Sequence, residues 1–226
     1  MGAGSRAAAA RPAAEEPRVI GSPLLTPDAC ARIERAVGRA EAGTAGEIVV
    51  MVAARAGQYR SVAHVAALVA GLILPWPLLV LTSCSTGAIL LAQAALVAVL
   101  LAAGLSERLR VALTPRRVRR SRARDAARRA FWSRGLGRTR GRTGILLYLS
   151  LAEHHAEIVA DQGILDRVGA EHWTATLADL TTALREGEAE AGLLRAVERM
   201  GAELARHVPA GRGDPDELPN HVIVVE

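Results

Sequence analysis

The sequence predicts an α/β layered domain interrupted by a helical membrane hairpin, and three observations carry that reading. Two runs, Glu47-Ile48-Val49-Val50-Met51-Val52 and Ile145-Leu146-Leu147-Tyr148-Leu149-Ser150, are nearly continuous in apolar residues yet too short for ordinary helices. They read as strands buried on both faces. Segments of helical periodicity flank them. Between them, residues 62–105 contain no Asp, Glu, Lys or Arg, and His64 and Gln93 are the strongly polar side chains there.

The totals leave room for this much and little more. A chain of 226 residues can hold one apolar hairpin and one soluble domain of ordinary size. All 28 basic residues are Arg, which reflects base composition as much as function, so their placement matters more than their number. The two cysteines, Cys30 and Cys84, form no disulfide framework and no CxxC metal spacing. Aromatic residues make up 3% of the chain, too few for a base-stacking platform for single-stranded nucleic acid.

Taken in order, residues 1–23 read as a disordered tail. Ala8–Ala10 is too short for the apolar core of a signal peptide, and Glu15, Glu16 and Pro17 prevent its extension. Gly2 is followed by a Ser at position 5, where a myristoylation pattern needs position 6. Residues 24–60 begin the α/β domain. Thr26 is an N-cap, Pro27 the first helical residue and Asp28 a charge suited to the positive helix end. Ala29, Ile33, Ala36, Val37 and Ala40 share one face, and the helix ends near Gly43 before the first strand.

Residues 61–106 form the hairpin. Its arms, 62–82 and 86–105, each reach the roughly 20 residues needed to cross a hydrocarbon core about 30 Å thick. In lipid each arm must be helical to satisfy its own backbone. The competing reading, a buried soluble hairpin, needs more surrounding chain than remains to cover helices apolar on every side. The turn falls either at Pro75-Trp76-Pro77 or at 82–86; a turn at the prolines would leave about 14 residues in the first arm, too short to span, so the later turn is preferred.

Residues 107–209 complete the domain. Between Arg108 and Arg142 there are 14 Arg against one acid, Asp125. Positive flanks stay in the cytoplasm and two crossings return the chain to its starting side, so both termini are expected there, at the cell (inner) membrane. Thr114-Pro115 opens a helix with Val118, Ala123, Ala126, Ala127, Ala130 and Phe131 as its apolar stripe. The second strand comes next, then a turn over 151–154 and a hairpin partner from His155 to Ala160. One helix carries Trp173, Leu177, Leu180 and Leu184, and a last one Leu193, Val197, Met200, Leu204 and Val208. Residues 210–226 form a loop, with a final strand expected over 220–225.

This order resembles the TPM domain family, in particular bacterial membrane proteins with a two-helix transmembrane insertion. The residues that carry the resemblance are L-L-T-P-D-A at 24–29, A-G-E-I-V-V at 45–50, R-T-G-I-L-L-Y-L-S at 142–150, E-I-V-A-D-Q-G-I at 157–164, G-A-E-L-A-R-H-V-P at 201–209 and E-L-P-N-H-V-I at 217–223. The resemblance implies a small α/β sandwich used as a membrane-tethered module. Members are linked to photosystem repair, to acid phosphatase activity or to accessory roles beside membrane proteins. Relatives commonly sit outside the cytoplasm behind a signal peptide, unlike this reading. The family's acidic cluster, associated with calcium or phosphatase chemistry, is thin here, and Asp161 alone stands where a site-forming residue would be.

Chemistry-bearing constellations are few. Glu153-His154-His155 with Asp161 is the metal-like cluster, but adjacent strand residues point to opposite faces, so a polar hairpin turn is the better reading. Asp161 before Gln162-Gly163 can cap a helix or ligate a cation, and Glu47 at a strand edge could face the same cleft. Asp161 and Glu47 are therefore the candidate catalytic residues, and Asp161 the candidate ligand for a divalent cation such as calcium. No nucleophile elbow or P-loop is present. The Arg run suits anionic lipid headgroups, and nucleic acid is disfavoured because the run begins at a membrane exit. Two functions are expected: a non-enzymatic binding or assembly module for membrane-protein complexes or, alternatively, a metal-dependent phosphatase-like hydrolase.

Overall fold

Strand β1 (Glu47–Ala53) occupies the interior of the sheet because it has no face to give to water: all seven residues are buried. The computed structural model describes residues 25–57, 59–106, 111, 114–169, 171–211, 218 and 221–225; the expected tail and Asn220 lie outside them. Strand β1 pairs in parallel with β2 (Gly144–Ser150) on one side and β4 (Val222–Val225) on the other, and β2 pairs antiparallel with β3 (His155–Ala160). The order is therefore β3-β2-β1-β4.

Both faces of this sheet are covered. Ile48, Val50, Val52, Ile145, Leu147 and Leu149 point into one core. That core is closed by three helices: α1 (Pro27–Glu41), α7 (His172–Arg185) and α8 (Ala189–His207). The alternate residues Val49, Met51, Leu146 and Tyr148 face a second core with Ala127 and Phe131 of α5 (Arg116–Ser133), plus Leu136 of the 3-10 turn Leu136–Arg138. Each Leu, Ile, Val or Phe placed this way contributes roughly 1.5–3 kcal/mol relative to exposure. Helix α1 starts as its cap chemistry dictates, with the Thr26 hydroxyl accepting from Ala29 N at 3.2 Å. Helix α8 approaches it closely because Gly201 has no side chain: a Cβ there would stand 2.5 Å from that of Ala40. On α5 the predicted stripe is narrower than expected, since Val118 is exposed rather than buried.

The insertion leaves the sheet after β1. Helix α2 (Arg60–Ile73) runs to Leu74 and continues as α3 (Pro75–Leu81). Helix α4 (Thr86–Ala103) returns, its N-terminus capped by Ser85 on Ala88 N. The turn therefore falls at 82–85, and the prolines mark a break within the first arm rather than the reversal. Leu74 N–H still donates to Ala70 O at 2.9 Å, so helical geometry persists up to Pro75, which lacks a donor. The stretches His64–Leu81 and Thr86–Ala103 are long and apolar enough to cross a membrane. In them 11% and 6% of the residues are buried within the protein, unlike the core helices of a soluble fold.

Candidate functional site

The two ends of the parallel strands carry different chemistry. At the N-terminal end, Glu47 is registered with Gly144, and Asp161 N–H donates to Gly144 O at 2.9 Å. Glu47, Gly144 and Asp161 thus form one row across β1, β2 and the end of β3. Residues in one row point to the same face; by alternation with Val49, Leu146 and Val159 it is the α5 face. The two sequence candidates therefore do share a face, separated by the intervening strand. The backbone of Leu136 lies directly over that strand: a Cβ on Gly144 would stand 2.3 Å from Leu136 O.

Asp161 is buried at 4% exposure and held by protein donors. Its Oδ1 accepts from Gln162 N at 2.6 Å and lies 3.1 Å from Nη2 of Arg142. It caps the short helix α6 (Gln162–Leu165). Its Oδ2 is buried without a hydrogen bond among the described residues, which prompts a test of cation binding. Calcium needs six to eight oxygens. Here a guanidinium already neutralises the carboxylate, and no group of three His, Cys, Asp or Glu among the described residues could hold a metal. The arrangement does not fit a dedicated cation centre.

At the C-terminal end the buried carboxylate is Glu153, which the sequence reading placed in a polar hairpin turn. The turn is there, and His154 is exposed at a left-handed φ of 47°. Glu153 instead folds inward to 7% exposure. Both its oxygens lie 3.1 Å from Ala56 N, and it accepts hydrogen bonds from the hydroxyls of Tyr59 and Ser150. Ser150 is a close local signal, but Tyr59 is 94 residues away and could not have been matched from spacing. The guanidinium of Arg122 on α5 stacks over the Tyr59 ring at 4.9 Å.

This network shapes its titrating groups. Burial first, then the bond to Glu153, pushes the Tyr59 phenol well above its ordinary value. Burial also drives Tyr148 up to about 12, with the charge of Glu153 adding to it. Nearby on β3, burial alone would raise Glu157. His155 Nε2 at 2.9 Å and Arg124 at 3.5 Å outweigh it and hold the carboxyl below its usual range. His155 is thus engaged with Glu157 and does not join His154 on one ion. The cluster is chemically a clasp. It fastens the segment that enters α2 to the β2–β3 turn.

Fold and site together define a layered α/β module whose first strand is followed by an apolar helical insertion, tied to the sheet by a buried carboxylate. The family model for the TPM domain matches residues 96–203. Over those residues the chain is similar to the TPM domain family. The match begins inside α4, so the central strand β1 lies before it, on the far side of the insertion. Comparison with curated proteins gives no match. Among solved structures, the NMR structure of the BA42 protein from the psychrophilic bacterium Bizionia argentinensis is similar in fold. Its TM-score is 0.55 at 21% identity, covering 89% of this chain and 95% of that one.

Proposed function

We propose that this protein is a membrane-anchored TPM module without enzymatic activity, its α/β domain in the cytoplasm, that binds or helps assemble other membrane proteins. The observation that carries the reading is the outward surface of the hairpin. Leu68, Leu72, Trp76, Val80, Leu81, Leu91 and Val99 are each more than 60% exposed on α2, α3 and α4. Left in water, each side chain of this kind forfeits roughly 1.5–3 kcal/mol; in hydrocarbon the cost disappears. The clasp at Glu153 supports a mechanical role, because it fixes the first arm to the sheet instead of leaving a loose tether. The carboxylate of Asp161, already neutralised by Arg142, argues against hydrolysis.

The test is extraction followed by crosslinking. The full chain is expected to stay in the membrane pellet after alkaline carbonate. A photoreactive residue at Leu91, which is 73% exposed, should then give discrete crosslinks to other membrane proteins. Release by carbonate would overturn the anchor. Crosslinks to copies of this chain alone would overturn the assembly role.

A further inference from the structure

Helix α5 buries Ala123, Ala127 and Phe131 against the sheet and turns a different face outward. Arg117, Arg120, Ser121, Arg124, Arg128 and Trp132 are all exposed and succeed one another at intervals of one to four residues along one side of that outer surface. From Arg117 to Arg128 this stripe runs about 16 Å. Arg124 is paired with Glu157 at 3.5 Å, whereas Arg117, Arg120 and Arg128 make no ion pair among the described residues. The helix N-terminus has no side-chain cap and no acidic residue in its first turn. Arginine there opposes the helix dipole, so the placement is not explained by the stability of the helix itself.

Two further observations say what the stripe meets. Trp132, at its end, is 65% exposed in a chain with three Trp, and it lies on the same side of the helix as Arg128, one turn earlier. Exposed Trp beside Arg is the pairing found at a membrane–water interface, where the ring sits at headgroup level and the guanidinium reaches phosphate. The helix is also anchored at the hairpin entry, through Arg122 over Tyr59.

We infer that the outer face of α5 lies along the membrane surface, with Arg117, Arg120 and Arg128 on the phosphates of anionic lipid headgroups and Trp132 at the interface. The inference rests on the membrane-anchored reading and adds a second, electrostatic contact to the same bilayer. It also sets the domain's orientation: the α5 layer faces lipid, and the α1–α7–α8 layer faces the cytoplasm.

The test uses the full chain with Cys30→Ser, Cys84→Ser and Ser121→Cys, the new thiol carrying an environment-sensitive fluorophore. The protein is placed in nanodiscs of neutral phosphatidylcholine or of the same lipid with about 30% phosphatidylglycerol, enough to give a negative surface potential. A blue shift is expected in the anionic discs only, reversed by high salt as screening shortens to a few ångströms. Arg117→Gln with Arg120→Gln and Arg128→Gln should lower the docked-to-undocked ratio about 100-fold, at roughly fivefold per Arg. The same emission in both lipids, or no loss in the triple variant, would overturn the inference while leaving the anchor intact. A shift on adding RNA to neutral discs, without one in anionic discs, would assign the stripe to nucleic acid and overturn it too. Failure to enter either disc would instead overturn the membrane-anchored reading.

Discussion

Glu153 receives three protein donors at a position almost closed to water, so its value to the fold lies in what its removal would strand. Glu153→Ala would leave Ala56 N–H and the hydroxyls of Tyr59 and Ser150 without their acceptor. The expected cost is about 3 kcal/mol or more, and about 1 kcal/mol for Glu153→Gln, which keeps an acceptor; thermal unfolding of the full chain in detergent measures both. The two tyrosines give a second prediction, because Tyr59 and Tyr148 are the only phenols in the sequence. Each has a folded pKa raised above its unfolded value. Their contribution to stability is complete below about pH 10 and is lost as pH climbs through the folded values. Tyrosinate absorbance at about pH 10 should therefore be nearly absent in the folded protein and about half-developed in urea. Half-developed absorbance without urea would contradict the burial of both rings. At this scale the sequence left Asp161 open between a helix cap and a cation ligand, and the contact it makes with Gln162 N is the local one of a cap. The sequence could not reveal Glu153, whose partners are brought together by the whole fold.

Elements were legible wherever their signal was periodic and continuous. The cap at Thr26, the doubly buried runs of β1 and β2, the hairpin partner β3 and the reversal at 82–85 all lie where the residues place them. What escaped were single turns without a hydrophobic period of their own: the 3-10 turn Leu136–Arg138 and the four-residue α6. That turn matters despite its size, because it lies on β2 at the one residue that has no side chain. Gly144→Ala would drive a Cβ to 2.3 Å from Leu136 O, a backbone atom that cannot rotate away. A loss of about 1–3 kcal/mol is expected. Gly43→Ala, which meets Ala205 at an ordinary 3.7 Å, should be close to neutral by comparison in the same unfolding assay. Equal effects would mean that the 3-10 turn yields and does not fix the row of Glu47, Gly144 and Asp161.

For the molecule as a whole, the insertion was the plainest feature in the sequence and the fold around it the least local. Strand β1 pairs with β2 across the entire hairpin and with β4 across nearly the whole chain, so the sheet order comes from packing and not from neighbouring residues. The proposed anchoring requires the hairpin to span the membrane and leave the α/β domain in the cytoplasm. Cys84 is exposed in the turn between the arms, and Ser133 is exposed on the domain at the end of α5. In intact cells, a membrane-impermeant thiol reagent should label Cys84 in a Cys30→Ser background. It should label Ser133→Cys, in a background lacking both native thiols, after permeabilisation alone. Labelling of the Ser133→Cys variant in intact cells, with Cys84 protected until lysis, would contradict this topology and put the domain on the outer side.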